Sequence, residues 1–155
     1  MKISEFTAYH SCCASRVSNI HRGADIIDGT IVRQGQRFSL NEVMGERTAA
    51  RGFLAAPQIF NGRLEDAIGG GVSQIATTVF NAAFFAGLRI VTHTPHEFWI
   101  SRYPPGREAT VSWMIWRNVA STSAGFSSGI MRRSSLKLTR PGTTLVLVPP
   151  SIIPT

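Results

Sequence analysis

Apolar positions recur along the chain at two different spacings, and the change of spacing marks out the elements. Residues 2–9 carry Ile3, Phe6 and Tyr9 among polar neighbours and predict a strand. From Ser15 onward Val17, Ile20, Ala24 and Ile27 return at three- and four-residue steps, the period that lines up one face of a helix. A helix over 15–27 follows, ended by Asp28-Gly29 because glycine takes the left-handed conformation of a helix C-terminus without strain. Short extended pieces are predicted at 30–32 and 37–40, on either side of the turn Gln34-Gly35. Asn61-Gly62 stands between 58–60 and 63–65, and this pair favours the primed turns whose twist matches paired strands, so a β-hairpin is predicted there. A second stripe, Ile75, Val79, Ala82 and Ala86, predicts a helix over 73–87 that Gly87 ends. Segments 88–92, 97–102 and 109–116 read as further strands, the last two linked by Tyr103-Pro104-Pro105-Gly106. The result is an α+β fold: two main helices packed on a largely antiparallel β-sheet, in a single domain.

Composition agrees with that picture. A chain of 155 residues fits one domain, and 43% hydrophobic against 16% charged residues is enough for a core and too apolar for a solvated disordered chain. The formal charge of +7 invites a polyanionic partner until its distribution is considered. Residues 1–108 net only +2, whereas residues 109–155 hold 5 basic residues and no acid. Trp113, Trp116, Arg117, Arg132, Arg133, Lys137 and Arg140 mix aromatics with positive charge as a nucleic-acid groove does. However, residues 113–116 alternate as a two-sided buried strand, and the later basic residues lie in a Ser/Thr-rich stretch, so no nucleic-acid partner is expected. The most apolar run, 79–91, is broken by Asn81, Gly87 and Arg89 and falls short of the roughly 18 residues that span a bilayer. No membrane span is expected, and the N-terminus carries no apolar signal core. Cys12 and Cys13 are adjacent, which strains any disulfide between them, and His10 alone supplies too few further ligands for zinc. Neither metal nor cofactor is expected.

The chemistry concentrates in Ile68-Gly69-Gly70-Gly71-Val72-Ser73-Gln74, a side-chain-free loop running into the start of a buried helix. Exposed N–H groups and the positive end of the helix dipole stabilise an anion in such a place, including the oxyanion of an acyl-transfer intermediate. Ser73 is therefore either a nucleophile or a helix N-cap, serine being a preferred cap. A serine nucleophile needs a positioned base, because the dipole cannot bring its hydroxyl pKa into range. His93 and His96, in Thr92-His93-Thr94-Pro95-His96, are the candidates, and Pro95 keeps the chain extended so that they do not share a helical face. Glu97 or Glu108 could orient such a histidine, and Arg102 or Arg107 could grip a carboxylate bidentately.

These motifs resemble the VanW domain of bacterial cell-envelope proteins. The resemblance rests on Phe38-Ser39-Leu40-Asn41-Glu42, Gly45-Glu46-Arg47-Thr48-Ala49-Ala50-Arg51-Gly52-Phe53 and Ala56-Pro57 with Asn61-Gly62. It continues through the glycine motif and its helix, His93-Thr94-Pro95-His96, and Tyr103-Pro104-Pro105-Gly106-Arg107-Glu108-Ala109-Thr110-Val111. The family is named for an accessory member of glycopeptide-resistance clusters, and some members resemble L,D-transpeptidases, passing a stem peptide through a cysteine thioester to an amine. The resemblance implies a location in the extracytoplasmic envelope and peptidoglycan stem peptides as partners. It also implies Ser73 at the cysteine position, His96 as base, and Gly69, Gly70, Gly71, Gln74 and Arg107 as ligand-binding residues. The alternative it leaves is a non-catalytic peptidoglycan-binding accessory module, since a hydroxyl is a poorer nucleophile than a thiolate. Residues 1–118 carry the likeness; residues 119–155 are basic, rich in Ser, Thr and Pro, and depart from it, by divergence or a change of reading frame.

Overall fold

The computed structural model describes residues 3–10, 13–33, 35–113, 125–127, 133–139 and 143–148. The chain runs β1 (Ser4–Ala8), α1 (Ala14–Ile27), β2 (Ile31–Arg33), β3 (Arg37–Ser39), α2 (Leu40–Met44), a 3₁₀ turn (Ala49–Arg51), β4 (Ala55–Phe60) and β5 (Arg63–Ile68). It continues with α3 (Ser73–Phe85), β6 (Arg89–Thr92), β7 (Gly125–Ser127), β8 (Arg133–Thr139) and β9 (Thr143–Val148). Every paired strand is antiparallel, and the strands fall into three sheets ordered β1-β9-β8-β2, β3-β7-β6 and β4-β5. The α+β class with two main helices is therefore what the sequence predicts, with the pairing divided among three ladders. Among the described residues no helix is long and apolar enough to cross a membrane.

The centre of the molecule is α3. Its residues from Gln74 to Ala83 are buried without interruption, as expected of a helix apolar on most of its surface, and it packs against α1, β1, β6 and β9. Ile75 and Val79 are at most 1% exposed, and burying each contributes roughly 1.5–3 kcal/mol. From α1, Ile20, Ala24 and Ile27 join the same core, so the predicted stripe is the observed buried face. Buried Asn19 interrupts that apolar face for a reason. Its side-chain amide donates to Leu54 O (2.8 Å) and Gly70 O (3.0 Å), and its carbonyl oxygen accepts from Leu54 N (2.7 Å). One side chain thus ties α1 to the start of the hairpin and to the glycine loop.

The hairpin pairs Phe60 with Arg63 across Asn61 (φ 49°) and Gly62 (φ 70°), the left-handed pair that a primed turn requires. It is longer at both ends than its sequence signal. The piece predicted as extended over 37–40 is β3 as far as Ser39, and helix α2, which the sequence reading did not include, begins at its last residue, Leu40. Its start is a Ser-x-x-Glu sequence, in which Ser39 Oγ accepts from Glu42 N, a capping pattern recognisable in the sequence.

Among the described residues two predicted strands do not form. Residues 97–102 form bends, a turn and irregular chain, and residues 109–113 form no strand; the remainder of the second prediction, 114–116, lies outside the described residues. The reason is where the backbone polar groups find partners. Ala109 N donates to Thr77 Oγ1 and Thr77 Oγ1 donates to Ala109 O, both at 3.0 Å, while Asn81 Nδ2 donates to Arg107 O. Side chains of α3 supply what a neighbouring strand would otherwise supply.

Candidate functional site

The glycine motif forms the entry to α3, and each of its members is fixed by a close neighbour. A Cβ on Gly70 would lie 1.9 Å from Ala56 O, so glycine lets the loop rest on the backbone of β4. Gly69 N donates to Leu54 O and Gly70 N to Ala67 O, each at 3.0 Å. Two of the three glycine amides are thus committed to the fold. The N–H groups of Gly71 and Ser73 have no backbone acceptor among the described residues.

Ser73 is the first residue of α3, and the N-cap position belongs to Val72, which makes no side-chain cap bond. The serine hydroxyl is instead paired with Thr110 Oγ1 at 3.0 Å. Among the described residues no hydrogen bond joins it to His96. Next to it, buried Gln74 turns its side chain inward. Gln74 Oε1 accepts from the Tyr103 hydroxyl (2.5 Å) and from Arg16 Nη2 (3.3 Å), and its Nε2 is buried with no partner.

The histidine segment and residues 107–111 are joined by two bonds. His93 Nε2 donates to Glu108 O (2.7 Å), and Thr110 N donates to Thr94 O (2.9 Å). His93 also stacks on Phe80 with centroids 4.1 Å apart, so its ring is a packing element of the core edge. His96 is half-buried with Nδ1 unpartnered. Burial lowers its pKa below the ordinary 6.5, Glu108 opposes that fall and Arg102 adds to it. His96 is therefore a neutral imidazole at neutral pH. Glu108 is buried, and its Oε2 has no hydrogen-bond partner.

The remaining predicted residues lie elsewhere. Glu97 accepts from Gly62 N and so holds the hairpin turn. Arg107 Nε donates to Asn81 Oδ1 (2.6 Å) and its guanidinium lies 4.3 Å from the Phe85 ring centroid. At 1.5 Å rise per residue, Asn81 is about 12 Å along α3 from Ser73, so Arg107 serves the opposite end of the helix. Arg16 lies against Gly71 and bonds Gln74, Arg47 lies against Gly69, and the Arg102 guanidinium is 5.0 Å from the Tyr103 ring centroid. Sequence reading passed over Arg16, whose position on α1 carries no motif; Tyr103 and Thr110 stood inside recognised motifs without a role. Cys12 lies outside the described residues. A shallow groove of about 460 Å³ lies along α1 beside Gly52, lined by Val17, Ser18, His21 and Asp25, with no member of the Ser73 constellation.

Residues 15–133 match the family model described as VanW like protein. The chain belongs to the VanW-like family. All members of the Ser73 constellation, from Arg16 to Thr110, fall within that VanW-like span, whereas β1 and β9 fall outside it. The chain is also similar to the uncharacterized protein YoaR of Bacillus subtilis (strain 168), with 43% identity over 107 residues that cover 69% of this chain and 35% of YoaR. It thus spans about a third of that relative's length. No solved structure matches it.

Proposed function

We propose that this chain is an extracytoplasmic cell-envelope domain that engages peptidoglycan stem peptides at the start of α3 and transfers their acyl group through Ser73, as an L,D-transpeptidase does. The observation that carries the reading is a half-buried serine hydroxyl on the first turn of the central helix, beside the Gly71 and Ser73 amides that have no chain acceptor. Those amides suit a developing oxyanion, where each well-placed donor is worth roughly 3 kcal/mol. In the first step Ser73 Oγ bonds to the stem carbonyl carbon and its proton passes to His96. The scissile C–N bond then breaks, and the departing amine takes that proton. An amine of a second stem attacks the ester, forms the new amide and returns the proton to Ser73. A neutral His96 is the protonation state such a base needs.

A second reading, a non-catalytic module binding the same peptides, is favoured by one observation: Ser73 Oγ is held by the Thr110 hydroxyl and not by an imidazole. Incubation with a tetrapeptide-stem muropeptide, followed by mass spectrometry, separates the two. The enzymatic reading expects a covalent adduct or crosslinked product that Ser73→Ala abolishes and Ser73→Cys increases. Binding without turnover, unchanged by Ser73→Ala, leaves the binding module.

A further inference from the structure

The described residues hold a buried carboxylate with an unpartnered oxygen, Glu108 Oε2, and a buried imidazole nitrogen that also has none, His96 Nδ1. Burying a carboxylate oxygen without a hydrogen bond is costly, and so is burying a ring nitrogen, so two such atoms in one neighbourhood call for a common explanation. They share a neighbourhood for three reasons. The His93 ring donates to the Glu108 carbonyl, Thr110 N donates to Thr94 O two residues before His96, and Glu108 acts electrostatically on His96. The other acid once open to this role, Glu97, is occupied at the hairpin turn. On the same segment, two residues beyond Glu108, Thr110 holds the Ser73 hydroxyl.

We infer that Glu108 is the positioning residue of His96: its carboxylate accepts the Nδ1–H and thereby fixes the tautomer whose Nε2 lone pair is free for the substrate side. Nδ1, not Nε2, is the ring nitrogen left buried and unpartnered, which is the orientation this arrangement needs. A buried acid behind an imidazole both orients the ring and stabilises the imidazolium formed when the base takes a proton. Such bonds are often long in the unliganded enzyme and shorten when substrate binds. Glu108 touches no substrate and acts only through His96. The catalytic meaning of this pair rests on the acyl-transfer reading, but the pair itself is a statement about one imidazole.

The test is the tautomer and titration of His96 in the intact protein, read from long-range ¹H–¹⁵N spectra. Free histidine prefers the proton on Nε2; the unmodified protein is expected to show it on Nδ1. Glu108→Gln is expected to lower the His96 pKa further, because the one charge that raises it is gone and Arg102 remains. Glu108→Asp restores part of the shift. An Nε2–H tautomer in the unmodified protein overturns the inference and needs no variant to fold. So does a His96 pKa unmoved in a Glu108→Gln protein whose amide spectrum is otherwise native. Because none of these readouts involves turnover, an inactive protein with the Nδ1–H tautomer would sink the acyl-transfer reading and leave the pair standing.

Discussion

A methyl group at residue 70 has no room, since its carbon would sit 1.9 Å from Ala56 O and 2.4 Å from Ala56 C, both backbone atoms that a rotamer change cannot move. Gly70→Ala must push the hairpin off the loop, and overpacking of this kind costs about 1–3 kcal/mol or more. The expected result is an unfolding free energy lowered by that amount, read as a lower urea midpoint at unchanged m-value; an unaltered midpoint would show that the loop and β4 can separate freely. The glycine run itself was legible in the sequence, but its physical use was only half so. A side-chain-free loop suggests an anion cradle, whereas Gly69 and Gly70 spend their amides on Leu54 O and Ala67 O. Histidines add a second expectation at this scale. His10 and His96 are both held below the ordinary 6.5, chiefly by burial. As pH falls through 6.5 the unfolded chain takes up protons that the folded one refuses, so stability is full above that pH and declines on acidification until the folded pKa values are passed. Denaturant midpoints measured from about pH 8 to about pH 5 should fall, and His96→Gln should flatten part of the slope; a level profile would contradict the sign.

Residues 107–111 depend on Thr77 as a strand depends on its neighbour. The Thr77 hydroxyl both accepts from Ala109 N and donates to Ala109 O inside the core, where it is fully buried. Thr77→Val keeps the shape and strands both backbone groups, at about 1–3 kcal/mol for each buried group left unsatisfied. The expected outcome is a loss of about 2–6 kcal/mol on that basis, with faster hydrogen exchange at the Ala109 amide and recovery in Thr77→Ser. Unchanged exchange at Ala109 would mean that the segment is held by its apolar contacts alone. This element shows why part of the fold was not legible. Helices α1 and α3 and the hairpin declare themselves through periodicity and Asn61-Gly62, which are local signals. Residues 109–111 alternate like a strand and are buried like one, but both backbone groups of Ala109 are bonded by the Thr77 side chain, on a helix 32 residues earlier. No local spacing encodes that. Helix α2 is a different case, because its Ser39-x-x-Glu42 start was readable and the short length alone hid it. Arg107 has its contacts at Asn81 and Phe85, two to three turns beyond Ser73, a separation along the helix that no local motif encodes.

On the scale of the whole molecule, the strands fall into a local pair and a set of distant ones. Only β4 and β5 find each other across a tight turn; β1 pairs with β9, β2 with β8, and β3 and β6 both with β7. Residues 125–148 therefore supply the ladder partner of every other described strand in the first 118 residues. Composition sets residues 119–155 apart as basic and rich in Ser, Thr and Pro, while β9 within them pairs with the N-terminal strand and packs on α3. Alternation in Leu136-Lys137-Leu138 and the run Leu145-Val146-Leu147-Val148 are strand signals that this composition masks. A chain cut after residue 118 leaves β1, β2, β3 and β6 with unpaired backbone groups and uncovers the side of α3 that β9 packs against. Unpaired, partly buried N–H and C=O groups cannot be recovered by the hairpin, which is a separate two-stranded sheet. Such a fragment is expected to lose its cooperative thermal transition and the dispersion of its amide spectrum. Adding residues 119–155 back as a separate peptide should restore neither fully, because joining two chains costs translational and rotational freedom that one chain does not lose. A fragment of residues 1–118 that melts sharply would show that α1, α3 and their shared core are sufficient, and that the distant ladders are laid onto a structure already formed.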